Sequence, residues 1–75
     1  MKQELPSLRP KQVISALEKT GFTTKRQTGS HIIMFKPGIP HPVSVPFHTR
    51  DLPKGTLRAI IRASGLNVNE FLSLL

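Results

Sequence analysis

Gly29-Ser30-His31 places an imidazole just after a turn and at the head of the apolar run Ile32-Ile33-Met34-Phe35, with Lys25 and Arg26 shortly upstream. Histidine changes charge near neutral pH, and beside fixed positive charge such a ring suits proton transfer on a phosphate. The same triplet also reads as turn punctuation with a bystander histidine. Other residues must decide between the two.

His48 follows Pro46-Phe47 at the exit of a short apolar segment. If the strands that begin at His31 and end near Pro46 are antiparallel neighbours, both imidazoles share one edge of the sheet. Two histidines among cations match metal-free RNA cleavage. One ring activates the 2′-hydroxyl, the other protonates the leaving 5′-oxygen, and Lys or Arg stabilises the extra negative charge. The sequence does not assign base and acid. His41 lies in a proline-rich connection and reads as an exposed loop residue. A stable metal site takes three or four protein ligands, and no acidic cluster accompanies these histidines, so neither a metal nor another cofactor is expected. Ser30 as a nucleophile fails, because adjacent strand residues face opposite ways and no placed acid orients the ring. The four carboxylates, Glu4, Glu18, Asp51 and Glu70, are scattered, so paired-carboxylate hydrolysis lacks its parts.

These residues need elements to hold them. Pro10 suits the first position of a helix, Val13, Ile14 and Leu17 fall on one face of it, and Gly21 stops it. Arg9 is a poor cap. Phe22 to Gln27 and His31 to Lys36 read as strands joined by Thr28-Gly29-Ser30, a hairpin. Pro37 to Pro42 holds three prolines and cannot carry a ladder, and Val43-Ser44-Val45 makes a third strand ended by Pro46. Asp51 is placed to cap a second helix with Pro53 in its first turn and Leu57, Ile60, Ile61 and Ser64 as its buried stripe, ended by Gly65. Asn67-x-x-Glu70 resembles a capping box that opens a short terminal helix carrying Phe71, Leu72 and Leu75. The order α-β-β-β-α-α predicts an α+β domain over residues 9–75, with the helices on one face of a three-stranded antiparallel sheet and residues 1–8 as an N-terminal arm. Which side His31 takes depends on whether a bulge follows Gly29.

Eleven Lys and Arg against four acids give a formal charge of +7 in 75 residues, which favours polyanions and RNA above all. Lys54, Arg58 and Arg62 recur at helical spacing with no interleaved acid. With Lys25, Arg26 and Lys36, and with Ser30 in the turn, they are the candidate RNA-contacting set. Gly55 in the first helical turn reads either as room for close approach or as simple tolerance near a helix end. The absence of cysteine excludes disulfides, thiolate metal sites and cysteine nucleophiles. No apolar signal core or membrane-length run is present, so a cytoplasmic protein without a membrane partner is expected.

The assembled pattern resembles the HicA toxin family of small messenger-RNA interferases from about Leu8 to Leu75. It rests on Gly21-Phe22, Gly29-Ser30-His31, Val45-Pro46-Phe47-His48 and Lys54-Gly55-Thr56-Leu57, continuing through Ile60, Ile61, Gly65 and Phe71. The resemblance implies a double-stranded-RNA-binding-domain-like α-β-β-β-α fold with a short extra C-terminal helix. It also implies an endoribonuclease that cleaves mRNA and arrests translation. The family's catalytic histidine maps onto His31, with His48 the candidate second proton carrier, and a HicB-type antitoxin is implied as the partner in a hetero-oligomer that covers the active surface. Arg9 at the cap and the proline-laden loop depart from the family pattern. Two other readings compete: a non-catalytic module that binds double-stranded RNA through the same basic surface, and a protein-interaction module whose charge matches an acidic partner.

Overall fold

The computed structural model describes residues 5–48 and 50–75. Pro10 opens α1 (Pro10–Glu18), where its missing N–H would have had no partner anyway. The cap is closed from the third helical position, because the Arg9 N–H donates to Gln12 Oε1 at 2.9 Å, half of a capping box. Val13, Ala16 and Leu17 recur on the buried face. Gly21, left-handed at φ +106°, turns the chain so that Phe22 drops into the core. The first strand therefore begins one residue later than its composition suggests.

Three antiparallel strands follow in the order β1 (Thr23–Thr28), β2 (His31–Phe35), β3 (Val43–Pro46), with β2 in the middle. Alternation sorts the two faces. Ile32 and Met34 of β2 and Val43 and Val45 of β3 are buried on the helix side, while His31, Ile33, Phe35, Ser44 and Pro46 lie on the open side. β1 is exposed along its whole length, as a polar edge strand can be. Its pairing with β2 shifts between Thr24 and Arg26, leaving Lys25 as the extra residue of a bulge.

α2 (Lys54–Ala63) sends Leu57, Ile60 and Ile61 into the core. The sequence points to Asp51 as its cap, but the N-cap is Pro53, fixed at φ −56° and ψ 146°. Its φ is helix-compatible but its ψ is extended, so helical geometry starts at Lys54. Asp51 instead meets Arg9, with Oδ1 3.8 Å from Nε on the surface. The capping box of α3 (Val68–Leu72) forms as its sequence suggests: Asn67 Oδ1 accepts from the Glu70 N–H at 2.8 Å, and Glu70 Oε1 accepts from the Asn67 N–H at 2.9 Å. That cap holds Phe71 fully buried.

The architecture is thus α-β-β-β-α with an extra C-terminal helix, of the α+β class. Of the expected N-terminal arm, residues 1–4 lie outside the described residues. From Leu5 onward it is part of the core: Leu5 and Leu8 are buried, and the Leu8 carbonyl accepts from the Leu52 N–H at 2.8 Å. Among the described residues, no helix is long and apolar enough to cross a membrane.

Candidate active site

The β1–β2 connection is a two-residue turn, because Thr28 pairs directly with His31. Gly29 has φ +56° and no non-glycine residue among those described has positive φ. A positive φ at only the first central position is the type II′ pattern, which matches the twist of a hairpin and selects glycine there. The Ser30 carbonyl accepts from the Phe47 N–H, tying the exit of β3 to the hairpin tip. No bulge follows Gly29, so the parity left open by the sequence resolves in favour of the open face. His31 is exposed there between Thr28 on β1 and Pro46 on β3.

The bulge at Lys25 reshapes the charge beside it. Without the extra residue, Arg26 would pair with Ile32 and point toward the helices; with it, Arg26 pairs with Ile33 and shares the open face with His31. Arg26 and His31 are then diagonal neighbours, about 7–8 Å apart in such a ladder. The Lys25 ammonium lies over the Phe35 ring, 5.4 Å from its centroid. Sequence reasoning located both cations but not the irregularity that aims them. An edge strand with no buried residue carries no alternation from which a bulge could be read.

His31 also borders a shallow cleft of about 280 Å³ between β3 and the flank of α2 that carries Thr56, Ala59 and Ala63. His48 borders a different cavity of about 470 Å³, with Arg9, Pro10, Lys11 and Phe47 at the start of α1. The strand register that would bring the two imidazoles together is present, as His31 pairs with Pro46. However, β3 ends at Pro46, and Phe47 packs against the core. His48 thus leaves the sheet two residues beyond the pair. His41 is exposed on the connection. Among the described residues, no three His, Asp or Glu side chains come together.

The remaining candidate cations divide by location. Arg58 and Arg62 border a cleft of about 360 Å³ with Leu66, Asn67 and Val68. At about 100° per residue, that flank of α2 is turned well away from the one that lines the cleft bordered by His31. The Lys54 ammonium donates to the Leu5 carbonyl, and Lys36 Nζ stands 5.9 Å from the Phe22 ring centroid. Lys54, Arg58 and Arg62 thus lie on α2, while Lys25 and Arg26 on β1 are the candidate cations that share a face with His31.

Residues 10–66, from the start of α1 to just beyond α2, match the family model described as HicA toxin of bacterial toxin-antitoxin. This chain belongs to the HicA toxin family. No individually curated protein matches it. The HicA match spans the whole sheet, including His31, and ends immediately before Asn67, the cap of α3. Membership makes the chain a toxin of a toxin–antitoxin pair, with an antitoxin as the implied class of partner.

Proposed function

We propose that this HicA toxin is a metal-independent RNA endonuclease, an mRNA interferase of the cytoplasm, in which His31 carries the proton transfer. The supporting observation is that His31 stands exposed at a tied hairpin tip, with Arg26 and Lys25 on its face, inside the segment that matches the family. The imidazole takes the proton of a 2′-hydroxyl, and the 2′-oxygen forms a bond to the adjacent phosphorus. The bond from phosphorus to the 5′-oxygen breaks, and that oxygen takes a proton from solvent. The products are a 2′,3′-cyclic phosphate and a 5′-hydroxyl. Arg26 and Lys25 offset the charge that gathers on the phosphate, and Ser30 belongs to the turn that presents the ring. Because His48 borders a separate cavity, this scheme runs on one histidine.

Arg58 and Arg62 contact the RNA farther from the scissile bond, while Lys36 and Lys54 add to the attractive field. A HicB-type antitoxin neutralises the toxin by covering the open face of the sheet. The test is incubation of the purified toxin with RNA in EDTA, alongside the same RNA with a 2′-deoxy sugar at the cleaved position. Cleavage in EDTA that stops at the deoxy sugar supports the reading. Cleavage that needs an added divalent ion overturns it, and binding without cleavage assigns the chain to non-catalytic RNA binding instead.

A further inference from the structure

Phe35 is 39% exposed, whereas Phe22 and Phe71 are buried and Phe47 packs against the core. It does not protrude from a fraying edge. Phe35 ends the central strand, on the same face as Ile33 and His31. We infer that this open face is a stacking platform for single-stranded RNA, with Phe35 receiving a base and Lys25 taking the neighbouring phosphate. The inference rests on the RNA reading above and specifies its substrate.

Three observations carry it. First, Phe35 lies four residue steps along the strand from His31, roughly 13 Å, and a sheet surface of this kind can stack two or three unpaired bases. A base on Phe35 would thus hold the strand in line with the ring that acts on it. Second, the bulge in β1 brings the Lys25 ammonium to 5.4 Å from the Phe35 centroid. An exposed contact of that type is weaker than base stacking, so an incoming base displaces the ammonium toward the strand's own phosphate. Third, the sequence from Lys19 to Arg50 contains five Lys and Arg and no Asp or Glu, so nothing on the sheet repels a polyanion. Beside the ring, half-buried Ile33 and Pro46 lie among the smaller Thr23, Thr28 and Ser44, which leaves the face open enough for stacked bases.

The test uses the full chain with His31→Ala, to prevent cleavage, and a single-stranded RNA carrying one 2-aminopurine, whose fluorescence falls on stacking. Adding Phe35→Ala should weaken binding about tenfold and abolish the quenching. Phe35→Trp should retain both, and the Phe35→Ala effect should vanish on duplex RNA and on a strand with an abasic site in place of the probe. Equal affinity with and without Phe35→Ala, or the same loss on duplex and abasic RNA, overturns the inference. So does a Phe35→Ala loss confined to antitoxin binding, which would make the ring a protein contact alone. If the parent protein binds no RNA of any kind, the RNA reading itself has failed, a result distinct from loss of stacking alone.

Discussion

Replacing Gly29 by Ala tests the turn that presents His31, because backbone geometry alone sets the penalty. Gly29 has φ +56°, and a Cβ built there would meet no heavy atom within 4 Å. Holding a non-glycine residue in such a sparsely populated region costs about 1–3 kcal/mol. Against this, the reduced freedom of the unfolded chain returns about 0.4–1 kcal/mol. A net loss of roughly 1–2 kcal/mol remains, and at about 4–8 °C per kcal/mol for a domain of this size the melting temperature should fall by roughly 5–15 °C. Gly55→Ala supplies the control. Gly55 is also free of neighbours within 4 Å, but it lies inside α2 without a positive φ, so the same substitution should stabilise by about 0.5–1 kcal/mol. Thermal and urea unfolding of the two variants should therefore move in opposite directions. If Gly29→Ala is neutral or stabilising, the type II′ geometry assigned to the hairpin is wrong. RNA affinity lost in Gly55→Ala would show that Gly55 is kept for close approach of a ligand.

Other expectations bear on the core and on the charges. Asn67→Ala removes one side of the reciprocal cap and should lower stability by about 1 kcal/mol. Phe71→Ala, which empties a fully buried site, should lower it by about 3–5 kcal/mol; urea denaturation reads both, and equal losses would contradict the full burial of Phe71 in the core. Arg26→Ala should reduce the slope of log affinity for single-stranded RNA against log salt by roughly 0.7. Lys54→Ala should leave that slope nearer its original value, because this ammonium is engaged by the Leu5 carbonyl, and should instead speed proteolysis ahead of Leu8. A larger slope change from Lys54 than from Arg26 would reverse the assignment.

Local chemistry was the legible part of this chain. Pro10, the Gly29-Ser30 turn, Pro46 and the Asn67-Glu70 box each act on their own few residues, so the order of elements and the hairpin that carries His31 can be read directly. Contacts between distant segments were not legible. Asp51 is a residue type suited to a cap, but its carboxylate goes to Arg9, and the N-cap falls two residues later at Pro53. Lys54 looks like a free cation until the Leu5 carbonyl is placed beside it. The Lys25 bulge decides which way Arg26 points, and no pattern in a fully exposed strand announces it. Likewise, register correctly brings the end of β3 to His31, but register ceases at Pro46, before His48. Phe35 was hidden by its company, since Ile32-Ile33-Met34-Phe35 reads as one apolar run; counting alternate residues from His31 separates the exposed ring from the buried Ile32 and Met34.

The central claim is that His31 performs chemistry and does not merely help bind RNA. Its most direct test is the single-turnover rate of RNA cleavage in EDTA, with toxin in excess, for the original protein and for His31→Ala, with the affinity of each for the same RNA measured in parallel on an uncleavable strand. Loss of a positioned acid–base group predicts a fall of roughly 10²–10⁴-fold in the rate, with affinity changed only slightly because the cations and Phe35 remain. A His31→Ala rate within tenfold of the original, or a loss accounted for wholly by weaker binding, would contradict it.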